Sequence, residues 1–283
     1  MLKDSFTRRD FLRGLVATPL VAVSATAAYA RLIEPYNYLI SETDIFIRDL
    51  PQGFEGFRIT QLTDIHHSRI LGLDEIRRVV NLAQHTKPDM FVLTGDYSTS
   101  YRRYIEPCAE VLSGLSAPEG VWAVLGNHDH YTDPELTTRA LQRNNITVLN
   151  NVNTMLQRGS DAIQLSGIDD WTWNATDWAR AFSGLKTNTP TILLSHQPTV
   201  LDFEQTKDVS LILSGHTHGG QLNFPLLGAP ASLFTKDMRY ARGLFRRGDT
   251  QLYVSTGTGV IGLPVRLGAR PEIAVLRLRR KID

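Results

Sequence analysis

Three short stretches of this chain set metal-type side chains at tight spacing. Ser214-Gly215-His216-Thr217-His218-Gly219-Gly220-Gln221 places two imidazoles either side of one residue. Asp64-Ile65-His66 places a carboxylate and an imidazole at the same spacing. Gly126-Asn127-His128-Asp129 adds an amide, an imidazole and a further carboxylate. Asp96, after Gly95, and His196, after Ser195, stand alone. Carboxylate oxygen, amide oxygen and imidazole nitrogen, with no thiolate, make a donor set for divalent Mn, Fe, Zn or Co, and the sequence does not choose among them. Each stretch alone is a weak signal. Asp-x-His recurs by chance, and a glycine-rich surface loop with two histidines would read the same way.

Their positions give them weight. Phe57 to Thr63, Asp89 to Thr94, Val121 to Leu125, Pro190 to Leu194 and Val209 to Leu213 read as strands, most of them apolar enough to be buried. Helical patterns lie between the early ones. Residues 74–87 carry Ile76, Val79, Val80 and Ala83 on one face, and Pro88 ends the pattern. A second helix is expected over about 104–115. A third opens with Asp133 as N-cap and Pro134 in its first position. Residues 146–167 read as short strands, and the last third, from about Tyr240 to Arg279, as antiparallel strands. Strands alternating with helices predict a partly parallel α/β sheet, whose ligands gather outside the carboxyl ends of the strands. Five of the eight histidines stand at those ends: His66, His128, His196, His216 and His218. Metal-type residues at the strand tips, with the strand interiors spared, point to one shared metal site.

Length and charge narrow the rest. With 283 residues the chain can bury the core of one large α/β domain. A net charge of +1 with no charge run gives no support to a nucleic acid partner. The single cysteine, Cys108, excludes an internal disulfide and is expected as a small buried residue. The N-terminus reads differently. Lys3, Arg8, Arg9 and Arg13 precede an apolar stretch, Gly14 to Ala28, and then Ala28-Tyr29-Ala30 gives a small-x-small cleavage pattern. Phe6 to Arg13 resembles a twin-arginine export signal. The apolar stretch is short and rich in Ala and Thr for a transmembrane helix. Residues 1–30 are therefore expected to be a signal peptide or an N-terminal anchor, and 31–283 a single domain. The twin-arginine translocase would be a partner during export. The destination would be the periplasm, the cell wall or the outer face of the inner membrane.

As an ordered set, Asp64-x-His66, Gly95-Asp96, Gly126-Asn127-His128-Asp129, His196 and Gly215-His216-x-His218 resemble the calcineurin-like metallophosphoesterase superfamily, from about Phe57 to Leu222. With the export signal and the stretch from Pro264-Val265-Arg266 to Pro271-Glu272-Ile273, the chain looks like an exported bacterial branch that includes cell-wall-associated and lipid-directed phosphodiesterases. The resemblance implies a four-layer α/β/β/α sandwich and two divalent metal ions. It implies that Asp64, His66 and His218 hold one metal, that Asn127, His196 and His216 hold the other, and that Asp96 bridges them. It gives His128 no metal and makes it the general acid. Two cations roughly 3.5–4 Å apart would share a hydroxide that attacks phosphorus in line. The implied substrate is a phosphoester, a diester before a monoester, on a lipid or a cell-wall polymer. The alternatives are a pyrophosphatase acting on a nucleotide-linked lipid of the UDP-diacylglucosamine type, and a non-catalytic scaffold. Filled positions throughout, His128 included, weigh against the scaffold. His67 stands where the family often has an aliphatic residue and is expected to be an ordinary, partly exposed histidine. Trp171-Thr172-Trp173 either lines the cleft, touches a membrane surface or packs into the core.

Overall fold

The computed structural model describes residues 21–224, 227–233 and 235–281. Arg8 and Arg9 lie outside the described residues. Residues 21–32 are helical and are labelled α1, and Ala28-Tyr29-Ala30 lies within them. Among the described residues, no helix is long and apolar enough to cross a membrane.

The first half of the chain runs β1 (Leu39–Ile47), β2 (Arg58–Leu62), α2 (Leu73–Gln84), β3 (Met90–Leu93), α3 (Ile105–Leu112), β4 (Val121–Ala123), α4 (Asn127–Thr132), α5 (Pro134–Arg143) and β5 (Thr147–Val148). The second half runs β6 (Val152–Arg158), β7 (Asp161–Gly167), α6 (Trp178–Ala181), β8 (Thr191–Leu194), β9 (Leu211–Ser214), β10 (Gly243–Arg247), β11 (Thr250–Val254) and β12 (Glu272–Arg280). The strands form two six-stranded sheets, ordered β1-β12-β2-β3-β4-β5 and β10-β11-β9-β8-β7-β6.

Three cores hold the layers together, and the central strands feed two of them at once. Met90 and Val92 of β3 face the second sheet, while Phe91 and Leu93 face the helices. In the same way Leu211 and Leu213 of β9 point between the sheets and Ile212 points outward. A strand buried on both faces has no polar alternation, which is why these runs read as continuous apolar segments. Helices α2, α3 and α5 cover the outside of the first sheet through Ile76, Val79, Cys108, Leu112, Ala140 and Leu141. The expected apolar face of α2 is the buried one. Asp133 caps α5 as expected, its Oδ1 accepting from Leu136 N at 2.9 Å. The outside of the second sheet is covered more thinly, by α6 and 3-10 turns carrying Trp171, Trp178, Val200 and Phe203. The architecture is the expected α/β/β/α sandwich.

The last third departs from the expected antiparallel block. β10 and β11 are antiparallel, but β11 runs parallel to β9. β12 leaves for the first sheet, where it is antiparallel to β2 and parallel to β1. These are pairings across the whole chain, and local apolar patterning carries no record of them.

Candidate metal centre

The site forms where strands of both sheets end side by side. β2 and β3 deliver Asp64, His66 and Asp96, and β4 leads through Gly126 to Asn127 and His128 at the start of α4. From the other sheet, β8 delivers His196 and β9 delivers His216 and His218. The backbone is unusual here. Asp64, His66, Asp96, His216 and His218 all have positive φ, at 52°, 52°, 59°, 73° and 51°. L-residues avoid this region, and each such residue costs of order 1–3 kcal/mol unless its surroundings impose it. Cross-loop hydrogen bonds impose it at Asp64, His66 and Asp96. Asp64 N donates to Gly95 O and His66 N to Asp96 O, both at 3.0 Å. The Asp129 carboxylate collects the N–H groups of Asp96, Tyr97 and Gly126 at 2.8, 3.0 and 2.9 Å. Gly215 is needed for close approach, because a Cβ there would collide with Asp64 Oδ2 and Thr63 Oγ1.

All eight singled-out residues meet at this point. His66 Nε2 and His218 Nε2 lie 3.1 Å apart, and Asp64 Oδ1 is 3.3 Å from His218 Nε2. On the other side His216 Nδ1 lies 3.0 Å from Asn127 Oδ1 and 3.3 Å from His196 Nε2. Asp96 stands between the two groups. Its Oδ2 is 3.4 Å from His66 Nε2 and 3.2 Å from His196 Nε2. Two trios, Asp64 with His66 and His218, and Asp64 with Asp96 and His196, each converge closely enough to hold a cation. His196 donates Nδ1–H to Thr94 O at 2.7 Å, which leaves Nε2 as the inward lone pair. Buried carboxylate oxygens and imidazole nitrogens gathered this closely, with no thiolate, are ligands for a borderline divalent cation. The donor set fits a pair of divalent cations.

Without a cation, protons organise the same atoms. Burial favours neutral Asp96, but the imidazoles of His196, His66 and His128 override it and hold its carboxyl well below the usual range. His196 is raised to about 10, because Asp96 and Asp64 outweigh its burial. Burial pushes Asp64 up, with the charge of Asp96 adding to it. Burial also drives His66 down to about 3 and His218 down as well, so both present neutral lone pairs. A cation entering beside Asp96 therefore displaces the proton on His196.

Residues 57–220 match the calcineurin-like phosphoesterase family. This chain belongs to that family. The similarity extends beyond the matched residues. The uncharacterized metallophosphoesterase YkuE of Bacillus subtilis is 34% identical, over 96% of this chain and 98% of its own. The phosphodiesterase YaeI of Escherichia coli is 32% identical, over 96% of this chain and 99% of its own. A transmembrane protein with metallophosphoesterase domain from Danio rerio is 32% identical over 98% of this chain, which spans 65% of that protein.

Around this metallophosphoesterase centre stand groups that local patterns did not flag. Asp237 Oδ2 lies 3.4 Å from His216 Nε2, on the side of the ring away from Asn127. That contact, with hydrogen bonds from Thr199 and Thr235, holds the Asp237 carboxyl down to about 2. A carboxylate behind a ligating imidazole fixes the ring, and its loss typically costs 10–100-fold in metal affinity. Asp237→Ala is expected to weaken manganese binding within that range with little change in melting temperature, as titration calorimetry would show. Arg266 is the second such group, fully buried and 3.4 Å from His218 Nδ1. Asp237 carries no motif, and Arg266 belongs to the Pro264-Val265-Arg266 stretch without its role being legible there, because each reaches the site from a loop far along the chain.

The uncertain positions also find places. His67 is buried rather than partly exposed. It donates Nδ1–H to Tyr104 O at 2.7 Å and packs edge-on against that ring, so the Tyr104 side chain and backbone cover it. Trp171 packs in the outer core against Phe203, while Trp173 is 50% exposed and stacks on His130.

Proposed function

We propose that this protein is a two-metal phosphodiesterase in which Asp96 bridges the cations and His128 is the general acid. The position of Asp96 Oδ2, nearly equidistant from His66 and His196, carries this reading. Asp64, His66 and His218 would hold one cation, and Asn127, His196 and His216 the other. When bound, the two cations neutralise phosphate oxygens and activate the attacking water. The chain's own residues do the rest. His128 donates Nδ1–H to Thr99 O at 2.8 Å, and its backbone N–H donates to Asp96 Oδ1 at 2.9 Å. Both contacts fix the ring, which leaves Nε2 to deliver a proton to the departing alkoxide. The phosphodiesterase designation of the E. coli relative supports a diester substrate.

The test compares bis(p-nitrophenyl) phosphate with p-nitrophenyl phosphate in manganese, with Asp96→Asn alongside. The diester should be the faster substrate. Loss of the bridge should lower its turnover by more than ~100-fold, beyond what a group behind a ligand contributes. A fully active Asp96→Asn enzyme would overturn the bridging assignment.

The reading includes export by the twin-arginine route and action in the periplasm, cell wall or outer face of the inner membrane. Phe6 to Arg13 and the uncharged stretch from Gly14 to Ala30 support it. Arg8→Lys with Arg9→Lys is expected to hold the protein in the cytoplasm, as cell fractionation would show. Unchanged export would contradict the route.

A further inference from the structure

We infer that the end of the molecule beside His218 docks on an anionic lipid surface, so that the metal centre draws its phosphodiester from lipid headgroups. This deepens the phosphodiesterase reading and rests on it for the substrate, though not for the docking itself.

The first observation is apolar exposure on adjoining segments. Leu227 is 86% exposed, Leu233 80% and Leu263 62%. The loops that carry them are stitched together and to the site. Gln221, three residues after His218, donates its side-chain N–H to Leu263 O at 3.0 Å. Asn223 N donates to Leu267 O at 2.6 Å. A Cβ on Gly220 would strike Ala229, so the loop bearing Leu227 and Leu233 lies directly against the glycines that follow His218. The same loop carries Asp237, which orients His216.

Helix α1 reaches the same end. Arg266 N donates to Ala30 O at 2.9 Å, which ties the helix to the loop bearing Leu263. A cavity of about 610 Å³ opens between α1, the start of β1, the start of β10 and Gly268. Along α1, residues 21–29 are all exposed, and from Gly14 to Ala30 the sequence carries no charge. Val21 and Val23 stand bare to solvent. Apolar side chains on a projecting helix and on loop tips gain by leaving water.

The second observation is charge, and it selects the partner. The exposed ionic residues of these segments are Arg31, Lys236, Arg239 and Arg242, and of these Arg239 is paired with Asp202 at 2.6 Å, which leaves Arg31, Lys236 and Arg242 to face a partner. Asp237 is half-buried against His216 and Thr199. Glu34 and Glu272 are buried, and they accept from Ala269 N and Thr256 N. Apolar tips rimmed by basic side chains are the composition of an interfacial membrane contact, where the tips enter the acyl boundary and the cations meet anionic headgroups.

The loop itself can report. Cys108 is fully buried, so Leu227→Cys in the full-length chain offers one accessible thiol for a polarity-sensitive fluorophore. Vesicles of phosphatidylcholine with phosphatidylglycerol should raise its emission to saturation. Phosphatidylcholine alone should bind at least about tenfold more weakly, and salt should narrow the difference. Leu233→Glu with Leu263→Glu in the labelled chain should weaken the response at least about tenfold. These substitutions should leave hydrolysis of soluble bis(p-nitrophenyl) phosphate unchanged. Flat emission on both vesicles, in a chain that hydrolyses the soluble diester, overturns the docking and assigns the face to a protein partner. A rise in emission without diester hydrolysis upholds the docking and removes the phosphodiesterase reading instead.

Discussion

Arg266→Met is expected to be the most damaging single substitution away from the metal ligands. The guanidinium is fully buried, and its hydrogen bonds go to backbone carbonyls. Nε donates to Gly259 O at 3.0 Å and Nη1 to Ala269 O at 2.8 Å. Nη2 donates to Thr256 O at 2.9 Å, Gly257 O at 3.2 Å and Gly259 O at 2.6 Å. Burial pulls its pKa down to about 10, against the combined charge of Asp64 and more distant acids, so the group stays cationic. Methionine fills much of the volume but strands the carbonyls of Gly259, Ala269 and Thr256, at roughly 1–3 kcal/mol for each one left unpaired, while Gly257 O keeps its bond from Glu272 N. A loss above about 4 kcal/mol would be exceptional for one residue and a large share of the ~5–15 kcal/mol available to a fold. Melting should fall by roughly 10 °C or more. Arg266→Lys keeps the charge with fewer donors and should fall between the two. A methionine variant that melts within about 2 °C of the parent would show that water replaces the guanidinium without loss.

The second large effect separates His128 from the residues around it. His128→Ala should leave the metal content unchanged, because the ring's Nδ1 is committed to Thr99 O and the ligand atoms belong to other residues. The rate should fall according to the leaving group. General acid catalysis contributes about 10²–10⁴-fold where an alkoxide must be protonated as it departs. p-Nitrophenolate leaves well without a proton, so bis(p-nitrophenyl) phosphate should lose far less than an alkyl diester. Measuring both substrates on metal-analysed protein distinguishes the roles. Equal losses on the two would assign His128 to binding rather than proton transfer, and lost metal would make it a ligand.

The site was legible in the sequence to the extent that its chemistry sits in short motifs. Asp64-x-His66 and His216-x-His218 announce themselves because two donors on one strand end need only local geometry. Ile76, Val79, Val80 and Ala83 were legible for the same reason, since a 3.6-residue period is local. Asp237 was not, because a lone Asp in a loop carries no periodicity, and Arg266 stood out only as part of the Pro264-Val265-Arg266 stretch, with its place behind His218 unread. The left-handed backbone at five of the site's residues was hidden as well. At Asp64, His66 and Asp96 it is imposed from outside, by Gly95 O, Asp96 O and the Asp129 carboxylate, and not by the residues' own preferences. The second sheet's thin cover escaped similarly, since the 3-10 turns around Pro198 to Thr206 have too few residues to establish a period.

The place of β12 sets a clock on biosynthesis. β1, the first strand made, has β12 as its one neighbour, and β12 also separates it from β2. Glu272, which begins β12, ties Ser41 of β1 to Tyr253 of β11 and to Thr256 just beyond it. Until Glu272 to Arg280 have left the ribosome, β1 has no partner strand. The first sheet therefore waits for β12 before it can close, and contacts this far apart in sequence close slowly. A chaperone that shields β1 during synthesis would raise the yield of folded protein. A stop codon before Glu272 would cost the whole first sheet rather than one edge of it.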